Sequence, residues 1–376
     1  MTEQTIYNCH IHTFTNRHAP RNFLKLFAGP VFGPLLSSFL RNASVANFVT
    51  SLAPSIGPFS KNDLVERQAR FFTRGRADEQ VKVFEGIEKQ YPGGTYFVVL
   101  PMDMAFMDLG EVPASIDEQH SELLELVTKH GKNVIPFYAA DPRREDLVEK
   151  VRANLKPGKF RGIKIYPNLG YYPQDKKLMQ VYEICVEQDV PVITHCSPTG
   201  VWKYKLAPED RVRFGHPRNY EIILKTFPTL RYCLAHFGGS EEWNKHLKSQ
   251  AEHEGDDRAW IRWITDMIKS DDFPNLYTDI SYTVFQPRVE GLYFDYFDYL
   301  KVLLADEKIQ NRVLFGSDYY MVERERLTEK EVSILLRSRL GEELYFKIAH
   351  DNPLRYLGIK EKKVKSGRTS KGTRSR

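Results

Sequence analysis

Short apolar runs alternate with amphipathic stretches along most of this chain. Eight runs rich in β-branched and aromatic residues predict strands, at residues 5–12, 95–101, 133–139, 161–167, 190–196, 230–237, 276–282 and 312–318. Helical patterns lie between most of them, as at 116–129, 144–155, 176–188 and 217–227. Eight strand–helix units predict an α/β fold whose parallel sheet closes into a (β/α)8 TIM barrel, and an open doubly wound sheet is the alternative.

The connection after the first predicted strand is far longer than an ordinary loop. It runs from about residue 13 to 78, and residues 26–60 hold a single charged side chain, Arg41. Glycine and proline interrupt this segment repeatedly, so a transmembrane helix is not expected. An insertion packed against the barrel and an apolar lid over the site are equally supported. A homodimer face and a shallow membrane contact are further interpretations.

Composition limits the compartment and the partners. The 376 residues include four cysteines without paired spacing and no signal-peptide pattern, so we expect a reduced, cytoplasmic protein. The formal charge is +5, but residues 360–376 alone carry +7. The rest of the chain is therefore slightly acidic, and we expect no nucleic-acid contact from it. We predict one domain over residues 1–359 and a disordered basic tail over 360–376, which is either a solubilising end or a contact for an anionic partner or membrane.

Histidines at strand ends are the first sign of chemistry. His10 and His12 lie two residues apart on the first predicted strand, and alternate residues of a strand point to the same face. His195, His236 and Asp318 stand at the ends of three later strands. Because the active site of a barrel lies at the carboxyl ends of its strands, this set predicts a metal site. Ordinary core histidines are the alternative.

These residues stand in motifs that resemble a known superfamily. The motifs are CHIH at 9–12, GIKIYP at 162–167, THCSPTG at 194–200, AHFGG at 235–239, LFGSD at 314–318 and NPLRYLGI at 352–359. They resemble the amidohydrolase superfamily, in the amidohydrolase-related branch that includes aminocarboxymuconate semialdehyde decarboxylase and resorcylate decarboxylases. The resemblance spans nearly the whole barrel. It implies that His10, His12, His195 and Asp318 are metal ligands and that His236 is an acid/base or polarising group.

The implied centre has a defined chemistry. Zn²⁺ held by three histidines and a carboxylate lowers the pKa of a bound water from about 15.7 toward 7, which supplies a nucleophile. Asp318 would accept the proton of that water, and His236 or the metal would stabilise the developing oxyanion. We expect one divalent ion, with Zn²⁺ preferred and Mn²⁺ or Fe²⁺ compatible with the ligand types.

Lys164 raises the alternative of two ions. In binuclear members of the resembled superfamily, a carbamylated lysine at the end of the fourth strand bridges two metals, and Lys164 stands in that neighbourhood. The resembled branch usually works with one metal, so we favour a mononuclear site. Lys164 would then face a charge on the substrate, or be an inward lysine satisfied by its neighbours.

Further residues near strand ends are candidates for substrate contact. They are Tyr166, Trp202, Arg288 and Tyr319. Arg288 could clamp a carboxylate, whereas packing in loops is the alternative for the aromatic side chains. Cys9 alternates with His10 and is predicted to pack outward against a helix.

Three functions remain open on these residues. We favour a metal-dependent hydrolase that cleaves a C–N or C–O bond in a small amide, lactone, ester or cyclic molecule. A non-oxidative decarboxylase of an aromatic or unsaturated acid is the alternative, because the resembled branch runs that chemistry on the same scaffold. The third is a non-catalytic binding barrel, against which the presence of all five site residues argues.

Overall fold

Short parallel strands alternate with helices along the chain. The computed structural model describes residues 5–26, 79–251, 259–283, 295–319, 321 and 328–360. Its strands are β1 (Tyr7–Ile11), β2 (Tyr96–Val99), β3 (Val134–Pro136), β4 (Tyr138–Ala139), β5 (Ile163–Ile165), β6 (Val192–Thr194), β7 (Tyr232–Leu234), β8 (Leu276–Asp279) and β9 (Val313–Leu314). All eight predicted strands are confirmed, and the third is divided into β3 and β4 at Phe137.

The strands form one parallel sheet that closes on itself through hydrogen bonds. β1 to β3 pair in order, as do β4 to β9, and every pair is parallel. Phe137 continues the chain from one set to the other, and its N–H donates to the carbonyl of Val99 at 3.1 Å. β9 returns to β1, because the N–H of Cys9 donates to the carbonyl of Phe315 at 2.8 Å. The predicted TIM barrel, and not the open sheet, is therefore the fold.

Helices cover the outside of the barrel. They are α1 (Gln80–Glu88), α2 (Ile116–His130), α3 (Leu147–Asn154), α4 (Lys176–Glu187), α5 (Pro208–Gly215), α6 (Glu221–Thr226), α7 (Ser240–Ala251), α8 (Trp260–Lys269), α9 (Tyr296–Leu304), α10 (Glu307–Gln310), α11 (Glu329–Leu340), α12 (Glu342–Phe346) and α13 (Asn352–Leu357). The start of α2 is fixed by a capping box between Ser115 and Glu118, and Gly131 ends it with a φ of 66°. None of the helices among these described residues is long and apolar enough to cross a membrane.

A bulge in β1 changes which side chains enter the barrel. The register with β2 shifts between Asn8 and Ile11, so Cys9 and His10 together take the place of one residue. Cys9 is fully buried in an apolar cluster with Val98 and side chains of other strands, which fills the barrel interior. This corrects the expectation that Cys9 faces a helix, since strict alternation holds only in a strand without a bulge.

The long connection after β1 is described in part. Residues 13–26 are described and include a 3-10 turn at Asn16–His18. Residues 27–78, with nearly all of the uncharged segment, lie outside the described residues, as does the tail at 361–376. The lid, the homodimer face and the membrane or anionic contact therefore stay predictions.

Candidate metal centre

The carboxyl ends of β1 and β9 bring three ligand-type side chains together. Nε2 of His12 lies 3.2 Å from Oδ1 of Asp318, and Nε2 of His10 lies 3.6 Å from the same oxygen. All three side chains are buried. Each offers one ligand atom, and these atoms lie within 4.8 Å of one another. Two imidazoles and a carboxylate at this spacing suit one divalent cation.

The other two predicted histidines join this group. The ring of His236 lies 4.8 Å from that of His10 and 4.7 Å from that of His195, centroid to centroid. Both rings are buried. All five residues expected from the strand ends therefore meet at one end of the barrel.

Hydrogen bonds determine which nitrogen of each β1 histidine is free. Nδ1 of His10 donates to Oδ2 of Asp279 at 2.9 Å, and Nδ1 of His12 donates to the carbonyl of Leu100 at 2.7 Å. A neutral imidazole has one N–H, so Nε2 of both rings carries a lone pair. Those two Nε2 atoms are the ones that face Asp318. Partners of this kind commonly orient metal-binding histidines.

His195 is held by its opposite nitrogen. Its Nε2 donates to the carbonyl of Thr199 at 2.8 Å, and its ring stacks on Tyr166 with centroids 4.1 Å apart. Nδ1 of His195 and Nε2 of His10 are buried without a hydrogen-bond partner among the described residues. A buried ring nitrogen without a partner is unfavourable unless something binds it. The arrangement therefore fits a cation ligated by Nδ1 of His195 and Nε2 of His10 and His12.

Three histidines of the centre have a lowered pKa. Burial lowers the pKa of His10, His195 and His236 well below the usual value. The charge of Lys164 lowers the pKa of His10 and His195 further. A neutral imidazole is the form that binds a metal ion, so these three rings need not lose a proton first.

Buried histidines also make the fold sensitive to acid. Nε2 of His120 accepts the N–H of Ala139 at 3.0 Å, and burial lowers the pKa of His120 to about 3. The unfolded chain binds this proton below about pH 6.5, whereas the folded protein does not. We expect the free energy of unfolding of the metal-free protein to fall by about 1.4 kcal/mol per pH unit for each such histidine as the pH drops from 6.5. Burial also lowers the pKa of His10, His195 and His236, so these three residues act in the same direction.

A glutamine at position 120 tests this expectation. His120→Gln keeps a hydrogen-bond acceptor but removes the titration. Urea denaturation at a series of pH values should give a slope of unfolding free energy against pH that is shallower by about 1.4 kcal/mol per unit between roughly pH 4 and 6. Equal slopes for the two proteins would contradict the assignment.

Lys164 lies beneath the centre. It sits on β5 opposite Ala139 and Ile193, and its ammonium is buried without a hydrogen-bond partner among the described residues. Burial lowers the pKa of Lys164 to about 8, although Asp279 and Asp318 raise it. Lys164 is therefore near the predicted metal ligands, as the sequence indicated. Its role as a bridge or a substrate contact stays a prediction.

A cavity of about 360 Å³ is lined by four of the five residues, His12, His195, His236 and Asp318. Its walls include Tyr166 and Trp202, and the guanidinium of Arg211 lies 4.0 Å from the centre of the Trp202 ring. Substrate contact by Tyr166 and Trp202 stays a prediction. Sequence analysis missed Phe14 and Phe23, which also line the cavity. They belong to the start of the long connection, so its described residues form part of the cavity wall.

Two other predicted contacts have different outcomes. Tyr319 is fully buried and points away from the cavity, with its hydroxyl donating to the carbonyl of Val83 at 3.4 Å. This corrects the expectation that it faces a substrate: its hydroxyl reaches α1, the helix that contains Val83. Arg288 lies outside the described residues.

Sequence analysis also missed the residues that support the histidines. Asp279 ends β8, and Ser281 follows two residues later; both are fully buried. The signal was present, because Asp279 is a carboxylate within the predicted barrel strand 276–282. Asp279 lies two residues after Tyr277, so the two side chains are expected on the same, inward face of the strand.

A glycine makes the approach of Tyr166 to His195 possible. Gly200 has a φ of +103°, and a Cβ there would meet the hydroxyl of Tyr166 and lie 2.9 Å from Cε1 of His195. Gly158 has a φ of +85° but open space around it. We expect Gly158→Ala to lower the unfolding free energy by about 1–2 kcal/mol, and Gly200→Ala by a further 1–3 kcal/mol or so.

The same pair of variants tests the link to the metal. Urea denaturation measures the unfolding free energies of the two variants, and competition with a chelator measures their metal affinities. We expect weaker metal binding only in Gly200→Ala, because that variant displaces the His195 ring. Equal affinities in the two variants would show that the packing of Tyr166 and Gly200 does not support His195.

Comparison with protein families adds an independent finding. The family model described as amidohydrolase matches residues 95–359, well over half of the chain. No curated protein matches this chain in sequence.

Solved structures show the same architecture. One is a 5-carboxyvanillate decarboxylase from Novosphingobium aromaticivorans in complex with manganese and 4-hydroxy-3-methoxy-5-nitrobenzoic acid, with a TM-score of 0.53, 13% identity, and coverage of 95% of this chain and 96% of that one. Another is an amidohydrolase from Burkholderia multivorans with bound zinc, with a TM-score of 0.54, 14% identity, and coverage of 95% and 100%. A TIM-barrel protein from Bordetella bronchiseptica has a TM-score of 0.51, 15% identity, and coverage of 94% and 98%. At these identities the likeness establishes a shared fold.

Proposed function

The chain belongs to the amidohydrolase family of enzymes, and we propose that it is a metal-dependent hydrolase acting on a C–N or C–O bond of a small amide, lactone, ester or cyclic molecule. The observation that carries this proposal is the convergence of three imidazoles and Asp318 beside a cavity. The buried lone pairs of His10 and His195 support a bound cation in particular.

The donor set suits one divalent ion. We propose that His10, His12, His195 and Asp318 hold it, with Zn²⁺ preferred because nitrogen and carboxylate donors match it. A divalent ion held there would supply Lewis acidity to water and to a substrate carbonyl. The amidohydrolase from Burkholderia multivorans contains zinc and the Novosphingobium decarboxylase contains manganese, which supports a divalent ion in this fold.

We propose that two side chains, Asp318 and His236, move protons. Oδ1 of Asp318 is the carboxylate oxygen that faces the two β1 imidazoles, so Oδ2 is available to take the proton of an attacking water. His236 lines the cavity, and its Nδ1 lies 2.9 Å from Oγ of Ser281. Nε2 of His236 is therefore the nitrogen that can hydrogen-bond to the substrate, receive the proton taken from the water and pass it to the leaving group.

A decarboxylase is the second candidate, and the cavity walls favour it. Phe14, Phe23, Tyr166 and Trp202 would enclose a planar ring. The structurally similar decarboxylase from Novosphingobium aromaticivorans holds an aromatic acid. In this reaction the bond between the ring and the carboxylate breaks, carbon dioxide leaves, and a proton from Asp318 or His236 replaces it on the ring carbon.

Product analysis distinguishes the two reactions. The metal-loaded protein is incubated with hydroxylated aromatic acids labelled with ¹³C in the carboxyl group, and in parallel with lactones and amides. Hydrolysis of the second group without labelled carbon dioxide supports the hydrolase. Labelled carbon dioxide from the first group contradicts it and supports the decarboxylase. His12→Ala serves as the inactive control in both assays.

A further inference from the structure

A buried carboxylate contacts both His10, a predicted metal ligand, and His236, the predicted acid/base. Oδ2 of Asp279 accepts from Nδ1 of His10 at 2.9 Å. Oδ1 of Asp279 accepts from the backbone N–H of His236 at 2.9 Å and from the backbone N–H of Ser281 at 3.0 Å. Asp279 is fully buried, so these donors stabilise a carboxylate that water does not reach. One side chain therefore links a predicted metal ligand with the predicted acid/base.

The hydroxyl of Ser281 extends this network to the ring of His236. Oγ of Ser281 donates its single proton to Oδ1 of Asp279. Its oxygen lies 2.9 Å from Nδ1 of His236 and 3.1 Å from Nδ1 of His10. The carbonyl of Ser281 lies 3.2 Å from Nδ1 of His236. Both oxygens can only accept there, so Nδ1 of His236 carries the proton. Nε2 is left unprotonated.

The backbone of His236 needs this support. Its φ is +65°, and the φ of the next residue, Phe237, is +44°. Residues with side chains rarely adopt this left-handed region, and each one raises the energy of the fold unless its surroundings hold it. The bond from the N–H of His236 to Asp279 fixes the turn that aims the imidazole at the cavity.

Asp279 acts from behind His10. It binds Nδ1, whereas Asp318 faces Nε2 of the same ring. A carboxylate in this position sets the tautomer and the direction of a ligand, which is the role that the partners of metal-binding histidines commonly play.

We propose that Asp279 and Ser281 are positioning residues: Asp279 fixes His10 in the tautomer that ligates through Nε2, and Ser281 fixes His236 in the tautomer that presents a basic Nε2 to the substrate. This inference rests on the proposed metal-dependent function. It assigns the pair of residues on and after β8 a role in both metal affinity and proton transfer.

Asp279→Asn separates this role from simple packing. The asparagine oxygen can replace Oδ1 and accept from the backbone donors of His236 and Ser281. Its amide NH₂ then faces Nδ1 of His10 and can only donate, so the His10 proton moves to Nε2 and blocks ligation. We expect the affinity for Zn²⁺, measured by competition with a chelator, to fall roughly 10- to 100-fold.

Imidazole ¹⁵N chemical shifts of the metal-free protein report the tautomers directly. We expect wild type to show His10 and His236 protonated on Nδ1, and Asp279→Asn to show His10 protonated on Nε2. Thr278→Val is the matched control, because Thr278 lies beside Asp279 on β8 and its hydroxyl donates to the carbonyl of Leu234 instead. It should change neither the shifts nor the affinity.

Ser281→Ala tests whether Ser281 fixes the tautomer of His236, and this test does not depend on the stability of Asp279→Asn. We expect a smaller loss of Zn²⁺ affinity than in Asp279→Asn, because Oδ2 of Asp279 still accepts from Nδ1 of His10 when the Ser281 hydroxyl beside it is removed. We also expect loss of the fixed His236 tautomer in the ¹⁵N spectrum, and a lower kcat that Ser281→Thr restores. A wild-type protein that binds no divalent ion would overturn the proposed function. A wild-type protein that binds Zn²⁺, together with unchanged tautomers in Asp279→Asn or Ser281→Ala, would overturn this inference alone.

Discussion

His12→Ala is expected to lose its metal ion and its activity together. Nε2 of His12 makes the shortest approach to Asp318 in the cluster, and its other nitrogen is held by the carbonyl of Leu100. Removing it deletes one of four expected ligands and leaves no side chain to replace it at that position. We expect elemental analysis to find about one metal ion per wild-type chain and almost none in the variant, with turnover at the uncatalysed background.

The control for this result is His130→Ala. His130 ends α2 at a distance from the centre, and its Nδ1 faces Glu88 at 3.2 Å. It should keep the wild-type metal content. About two ions in the wild type would instead support the binuclear site bridged by Lys164. Full metal content in His12→Ala would remove that residue from the ligand set.

His236→Ala is expected to keep the metal and lose most of the turnover. His236 lines the cavity, but its ring is oriented by Ser281 and it is not one of the four expected ligands. General acid–base catalysis by one side chain is typically worth about 10²- to 10⁴-fold, so kcat should fall within that range. Steady-state kinetics and elemental analysis on the same preparation measure both quantities.

Two outcomes would contradict this assignment of His236. Loss of the metal in His236→Ala would make it a ligand, and an unchanged kcat would remove it from proton transfer. His236→Gln is a useful comparison, because its amide can still reach Ser281 but cannot act as a base. A kcat as low as that of the alanine variant would show that the missing function is proton transfer.

The barrel was predictable because its strands are short, apolar and evenly separated by helices. Parallel strands place their carboxyl ends on one rim, so residues as distant in sequence as His10 and Asp318 were expected to meet. The predicted bounds were longer than the observed strands. The ladder bonds end where the chain turns into the site, as at His236, whose φ is +65°.

Features that depend on local departures from regular structure were not predictable in this way. The bulge in β1 brings Cys9 inside with His10, and no pattern of apolar residues marks it. The tautomers of the histidines follow from bonds to Leu100, Thr199 and Asp279, which only the folded chain brings into contact. The walls of the cavity come from separate loops for the same reason.

Anomalous X-ray diffraction from crystals of the Zn²⁺-reconstituted protein tests the central claim most directly. We predict one peak at the zinc edge, at about 2.0–2.2 Å from Nδ1 of His195, from Nε2 of His10 and His12 and from a carboxylate oxygen of Asp318. A peak elsewhere, or no peak among these side chains, would contradict the account.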